Sequence, residues 1–124
     1  MKGWSNWLDQ GYKTDRSLLH EVGVITIDDV LKGKSEITRK PGYHIYVITN
    51  GLGNPLYVGK TTVSVRKRFW QHWDDGSKIG LHIRTNAPAS YDWPVKIYRA
   101  DRRFHELEIE LIRELSPQLN IVRR

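Results

Sequence analysis

The chain has 124 residues, enough for one domain or for one domain with an appendage. Twenty Lys and Arg residues against fourteen Asp and Glu residues give a net charge of +6, which favours polyanionic partners, nucleic acid first, although a charge that serves only solubility is the alternative. The absence of cysteine excludes disulfide scaffolds, thiolate zinc sites and cysteine nucleophiles. No apolar run approaches the ~18 residues of a membrane span, and the first residues lack the apolar stretch of a signal peptide, so we expect a cytoplasmic globular protein that does not associate with membranes.

The charge is concentrated in the C-terminal two thirds of the chain. Residues 1–40 hold seven basic and six acidic side chains, whereas residues 41–124 hold thirteen and eight. A polar stretch over residues 32–40, predicted to be a linker or loop, ends at Pro41 and Gly42, which predicts a boundary there. We therefore expect an N-terminal extension, 1–40, that is part helical and packs on the core or acts as an arm, followed by the main domain, 41–124.

The predicted elements follow from local patterns of apolar, β-branched and turn-forming residues. In the extension, residues 26–33 predict a short capped helix, and Trp4, Trp7 and Leu8 could pack on the main body. In the main domain we predict a hairpin with strands over 43–49 and 56–59, a helix over 64–73, an irregular stretch over 78–93, a strand over 95–98 and a helix over 104–115. This order predicts an α/β (α+β) sandwich with a three-stranded, largely antiparallel sheet flanked by helices.

Gly59, Lys60 and Thr61 are similar to the end of a phosphate-binding P-loop. Such a loop also needs a glycine five positions before its last glycine, and that position is Asn54. We therefore expect no nucleotide cofactor.

Glu108 is the most informative residue of the last predicted helix. It lies within an apolar stripe, where a carboxylate is costly unless it meets a cation, a hydrogen-bond donor or a metal. A structural ion pair with an arginine and a catalytic or metal-binding role both explain it. The stripe consists of Phe104, Leu107, Leu111, Ile112 and Leu115, and the opposite, solvated face is predicted to carry Glu106, Glu110 and Glu114.

Arg68 and His72 are four residues apart on the first helix of the main domain and therefore share a face. Arginine is suited to holding phosphate, and histidine to moving a proton or binding water. Tyr46 and Tyr57, one on each hairpin strand, are predicted to face the same side. Residues 66–68 could equally form a solvated basic face, with Arg66 lying over Trp70.

Together these residues resemble the GIY-YIG nuclease superfamily. The tripeptides at 44–46 and 57–59 are similar to the two that name the family, with His44 and Val58 as mild departures. Lys60 resembles the lysine of the excision-repair branch, and His72 the histidine of GIY-YIG restriction enzymes. The resemblance covers about residues 42–121 and continues through Arg68, Glu108, Leu111, Ile112, Pro117 and Asn120.

The resemblance implies a metal-dependent endonuclease that hydrolyses nucleic-acid phosphodiester bonds, with DNA as the favoured substrate and single-metal, in-line attack by water. Glu108 would bind Mg²⁺ or Mn²⁺, and Arg68 would neutralise charge on the phosphoryl oxygens. Tyr57 is the leading general base, with Lys60 lowering its pKa, while Tyr46 and His72 could orient water or share the proton. The remaining candidates, for binding substrate or holding the site, are Arg66 and Asn120.

A nucleic-acid-binding module without catalysis is the alternative to a nuclease. It would keep the basic surface but has no need for Glu108, which repels phosphate. A structural domain that binds a protein partner is a third class, which no feature of the sequence favours. A monomer is the default oligomeric state.

Overall fold

One four-stranded antiparallel sheet organises the protein, for which a computed structural model describes residues 16–100 and 103–120. The strands run in the order β1-β4-β2-β3. They are β1 (His20–Thr26), β2 (His44–Thr49), β3 (Pro55–Thr61) and β4 (Pro94–Arg99), and the helices are α1 (Ile27–Lys32), α2 (Glu36–Arg39), α3 (Val65–Asp74), α4 (Lys78–Thr85) and α5 (Phe104–Leu115). The predicted α+β class is confirmed.

Helices cover both faces of the sheet, so the central strand β2 is buried on both sides. Tyr46 and Ile48 face a core formed with α1, α3 and α4, whereas Ile45 and Val47 face a second core formed with α5. Burial on both faces explains why β2 is an unbroken run of apolar and aromatic residues rather than an alternating one.

The sheet has four strands rather than the predicted three, because the extension contributes one. β1 pairs antiparallel with β4 along most of its length. It is an edge strand whose residues are exposed or only half-buried, so its sequence lacks a clear apolar alternation. The helix after it is as predicted: the Thr26 hydroxyl accepts from the Asp29 N–H at 3.1 Å, and Gly33 ends the helix at φ 65°.

The short helix α2 lies in the stretch predicted to be a linker or loop. It buries Thr38, whose hydroxyl donates to the Ser35 carbonyl at 2.6 Å. Residues 20–40 thus pack as part of the same body as the main domain. Trp4, Trp7 and Leu8 lie outside the described residues.

Helix α4 corrects the prediction of an irregular stretch over 78–93, which also contains a 3₁₀ turn at Ala89–Asp92. Ile79 and Ile83 bury one face of α4. Gly80 weakens the helix signal in the sequence, yet a Cβ at this position would lie 1.9 Å from the His72 carbonyl oxygen. The glycine therefore permits α4 to pack closely against the end of α3.

The helices α3 and α5 match their predictions closely. The Ser64 hydroxyl caps α3 by accepting from the Lys67 N–H at 3.1 Å, and α5 ends immediately before Ser116 and Pro117. Gly59, Lys60 and Thr61 belong to strand β3. Over residues 16–100 and 103–120, no helix is long and apolar enough to cross a membrane.

Candidate active site

The β2–β3 hairpin brings two tyrosines together beneath α3. Ile48 pairs with Tyr57 and Tyr46 with Gly59, so both tyrosines face the same side of the sheet, as predicted. Their ring centroids are 6.2 Å apart. Tyr46 is 0% exposed, whereas Tyr57 is only partly buried. Of the two hydroxyls, that of Tyr57 therefore belongs to the more accessible side chain.

Gly59 makes room for the Tyr46 ring on the neighbouring strand. A Cβ at position 59 would lie 2.3 Å from both Cζ and Oη of Tyr46, which is far inside van der Waals contact. The last glycine of the second tripeptide is therefore required for the close approach of the tyrosine from the first tripeptide.

His72 joins the tyrosines from α3. Its Nε2 lies 2.7 Å from the Tyr46 hydroxyl, and its ring packs at 5.3 Å from that of Tyr57. The histidine is 4% exposed. Burial, reinforced by the nearby Arg68 charge, lowers the pKa of His72 from 6.5 to about 4. The imidazole is therefore neutral at pH 7.

Arg68 supplies the positive charge of the cluster. Its charge lowers the pKa of both Tyr46 and Tyr57, and Nη1 donates to Gln71 Oε1 at 3.1 Å. Burial raises the pKa of Tyr57 above 10.0 and that of Tyr46 well above it, and Arg68 opposes both shifts. The charge of Glu108 raises both pKa values further.

Glu108 on α5 meets a cation, but a lysine rather than an arginine. Lys60 Nζ lies 3.1 Å from Glu108 Oε1, with the side chains 29% and 17% exposed. The ammonium also contacts His105 Nδ1 and lies 5.9 Å from the Phe104 ring centroid. Burial raises the pKa of Tyr57, and Lys60 lies against Glu108, so a lowering of this pKa by Lys60 stays a prediction.

Asn120 attaches the end of the domain to the centre of β3. Its Oδ1 accepts from the Val58 N–H at 2.8 Å and its Nδ2 donates to the Val58 carbonyl at 2.9 Å. The adjacent Leu119 N–H donates to the Leu56 carbonyl at 2.8 Å. Of the two roles predicted for Asn120, the structure therefore shows contact with the site's own strand.

Arg66 is not brought into the cluster. Its Nε donates to the Leu31 carbonyl at 3.0 Å, and Trp70 Nε1 donates to the same oxygen at 3.0 Å. Arg66 therefore lies against α1, while Arg68 lies against the tyrosines. Its role in binding substrate remains a prediction.

Two residues near the cluster have no counterpart in the sequence-based prediction. His105 contacts Lys60 and could have been found from its i, i+3 spacing to Glu108. Ser77 contacts His72 Nδ1 at 3.3 Å. It could not be found from the sequence, because it caps α4 and this segment was predicted to be irregular.

Glu110 departs from the predicted solvated face of α5. Its side chain is 13% exposed, and Arg103 Nη2 lies 3.4 Å from Oε1. Glu106 is 63% exposed and matches the prediction. The buried residues of α5, Phe104, Leu107 and Leu111, thus have a partly buried ion pair on one side and Glu108 on the other.

Comparison with known proteins agrees with this geometry. Residues 42–120 match the family model described as the GIY-YIG catalytic domain. The fold is similar to crystal structures of the GIY-YIG N-terminal endonuclease domain of UvrC from Thermotoga maritima. The magnesium-bound form is 21% identical with a TM-score of 0.51, covering 73% of this chain and 96% of that chain.

Two tyrosine-to-phenylalanine variants of that domain, each bound to its catalytic divalent cation, give TM-scores of 0.52 at 19% and 20% identity, covering 74% of this chain and 96% of those chains. No curated protein matches the chain. Because the family model covers well over half of the sequence, the chain belongs to the GIY-YIG nuclease superfamily and is an endonuclease of the GIY-YIG type.

Proposed function

We propose that the protein is a divalent-metal-dependent endonuclease that hydrolyses DNA phosphodiester bonds by in-line attack of water, with one metal ion. The observation that carries the proposal is the cluster of Tyr46, Tyr57 and His72, with the charges of Arg68 and Glu108 near enough to affect the pKa of both tyrosines. The similar UvrC domain binds a catalytic divalent cation, magnesium in one of its structures. Magnesium is therefore the first candidate, and Mn²⁺, an equally hard ion, the second.

Glu108 has the chemistry to hold that cation. It is a partly exposed carboxylate, and hard divalent ions prefer oxygen ligands. It binds the Lys60 ammonium at 3.1 Å, so its surroundings accommodate a positive charge. When bound, the metal would neutralise negative charge at the scissile phosphate. Lys60, released from the carboxylate, would remain near the site through His105.

Arg68 is suited to the phosphoryl oxygens. Its side chain is partly exposed, its charge lowers the pKa of both tyrosines, and a guanidinium can donate two parallel hydrogen bonds to a phosphate. Charge that develops on the non-bridging oxygens would be stabilised there without reorganisation of the site.

Tyr57 remains the leading general base, because its side chain is accessible and that of Tyr46 is fully buried. Its pKa is raised by burial and by the Glu108 charge, and lowered by Arg68. A cation on Glu108 would cancel the upward contribution while Arg68 continues to favour the phenolate. The pair of Tyr46 and His72, joined at 2.7 Å, is the second candidate for accepting the proton.

The charge of the chain supports a nucleic-acid substrate. The net charge of +6 favours a phosphodiester backbone, and DNA is proposed on the resemblance to the excision-repair branch. All the residues of the site come from one chain, so a monomer is sufficient for the chemistry.

The test is cleavage of supercoiled plasmid, single-stranded DNA and RNA with Mg²⁺, Mn²⁺ or EDTA. We expect plasmid to be cut with either metal and to remain intact with EDTA. Tyr57→Phe should lose a factor of about 10²–10⁴ in rate, because the hydroxyl that accepts the proton is removed. Tyr43→Phe is the matched control, since Tyr43 is 51% exposed and packs on Phe104 rather than in the cluster.

Two outcomes would change the proposal. Near wild-type cleavage by Tyr57→Phe together with inactive Tyr46→Phe would assign the base to the Tyr46–His72 pair. Tight binding of nucleic acid without cleavage under any metal condition would favour the non-catalytic module instead.

A further inference from the structure

The N-terminus of α4 packs against both the ring and the backbone carbonyl of His72. Ser77 Oγ lies 3.3 Å from His72 Nδ1 and donates to the His72 carbonyl at 3.3 Å. The same oxygen accepts from the Gly80 N–H at 3.2 Å, which caps α4. Gly80 leaves no space for a Cβ against the His72 carbonyl, so the first turn of α4 lies in close contact with the end of α3.

The hydrogen bonds around His72 indicate which of its ring nitrogens carries the proton. Ser77 has one hydroxyl proton and donates it to the His72 carbonyl, so its contact with His72 Nδ1 requires Nδ1 to be the donor. A neutral His72 that carries its proton on Nδ1 has no proton on Nε2, so the Tyr46 hydroxyl, 2.7 Å from Nε2, donates to it. A buried hydroxyl whose proton had no acceptor would cost stability.

The hydrogen bonds of Ser77 agree with this assignment of the His72 proton. If Nε2 accepts, a neutral His72 carries its proton on Nδ1 and donates it to Ser77 Oγ. Ser77 Oγ then accepts two hydrogen bonds, from His72 and Gly80, and donates one to the His72 carbonyl, which uses its full capacity. In the opposite tautomer, Nδ1 would need the single Ser77 proton, which is donated to the His72 carbonyl.

We propose that Ser77 is a positioning residue that fixes neutral His72 in its Nδ1–H tautomer and thereby sets the direction of the Tyr46 hydroxyl. With its proton on the His72 side, the Tyr46 oxygen accepts hydrogen bonds on the side of Arg68 and Tyr57. A water or hydroxyl there is held through its hydrogen and presents its oxygen to the phosphate. The inference rests on the proposed nuclease site but concerns a property that exists in the metal-free protein.

Nitrogen-15 NMR of the ring nitrogens in the full-length, metal-free protein at pH 7.5 tests the tautomer directly. The chain has five histidines, and the signals lost in His72→Gln identify His72. We expect a protonated Nδ1 and an unprotonated Nε2 in the wild type, retention of this pattern in Ser77→Thr, and a shift towards Nε2–H in Ser77→Ala. A wild-type Nε2–H tautomer, or an unchanged tautomer in Ser77→Ala, would overturn the proposal.

Steady-state cleavage kinetics supply the second readout. Ser77→Ala should lower kcat by about 10- to 100-fold, the range typical of losing a partner that orients an active-site histidine, with KM nearly unchanged. Ser77→Thr should restore kcat. Ser64→Ala is the matched control, because Ser64 caps α3 with the same geometry and does not touch His72.

The two readouts separate this inference from the proposed function. If the wild-type protein shows the Nδ1–H tautomer but cleaves no substrate, the proposed nuclease function is refuted and the proposed tautomer is supported. A wild-type protein that cuts DNA with His72 as Nε2–H would do the reverse. If Ser77→Ala fails to fold, the wild-type and Ser77→Thr tautomers still decide the matter.

Discussion

Acidification from pH 8 to pH 5 should destabilise the fold through His72. The histidine is 4% exposed, and burial lowers its pKa from 6.5 to about 4. Between these two values the unfolded chain binds a proton at this position and the folded protein does not. The contribution of His72 to stability is therefore fully present above pH 6.5 and is lost as the pH falls towards 4.

The size of the loss follows from the two pKa values. A difference of about 2.5 units corresponds to roughly 3.4 kcal/mol when it is fully expressed. At pH 5 the unfolded histidine is almost fully protonated and the folded one is not, so about 2 kcal/mol of unfolding free energy is lost relative to pH 8. His44 is 2% exposed and has a pKa lowered by burial, so it adds a loss in the same direction.

Urea unfolding at pH 8, 7, 6 and 5, in the presence of EDTA, measures this loss. His72→Gln removes the contribution of His72 and leaves that of His44 in place. Between pH 8 and pH 5 the wild type should lose about 2 kcal/mol more than the variant. Parallel losses in the two proteins would refute the account of a buried, neutral His72, as would an NMR titration that gives its pKa near 6.5.

Three further predictions concern the strand positions and the surface. Gly59→Ala should lower the thermal midpoint and abolish cleavage, because the added Cβ would lie 2.3 Å from Tyr46 Oη. Gly23→Ala is the control, because a Cβ at position 23 would have no atom within 4 Å, and equal midpoints of the two variants would contradict the steric argument. Asn120→Ala should cost about 1–3 kcal/mol in urea unfolding because both polar groups of Val58 lose their partner, and an unchanged stability would remove Asn120 as the anchor of β3. Nucleic-acid binding should weaken steeply with salt in a titration, because phosphate contacts release counterions, and an affinity independent of salt would exclude an electrostatic interface.

The sequence predicted best the elements with strong periodicity. The helix α5 was predicted with its observed bounds, because its apolar stripe and the following Pro117 leave little choice. The strand β1 was missed because an edge strand needs no apolar alternation, and Gly23 weakens its strand propensity further. The helix α4 was missed because Gly80 is unfavourable in a helix and is explained only by contact with the end of α3.

The same distinction applies to the site. The position of Glu108 on an apolar stripe predicted that the carboxylate would meet a cation, but its identity as Lys60 depends on the packing of α5 over β3. Ser77 lies five residues after His72, and the contact between them exists because the chain turns back between α3 and α4.

The central claim is that Glu108 holds the metal that cleavage requires. Plasmid cleavage and thermal melting of Glu108→Gln, each with EDTA and with Mg²⁺, test it, with Glu106→Gln as the control because Glu106 is 63% exposed on the outer face of α5. Glu108→Gln should leave the melting point with EDTA nearly unchanged, since the pair with Lys60 is partly exposed and such pairs contribute ~0–1 kcal/mol. It should lose cleavage and any stabilisation by Mg²⁺, because an amide is a poor ligand for a hard divalent ion, while Glu106→Gln keeps both. Retained Mg²⁺-dependent cleavage by Glu108→Gln would contradict the account.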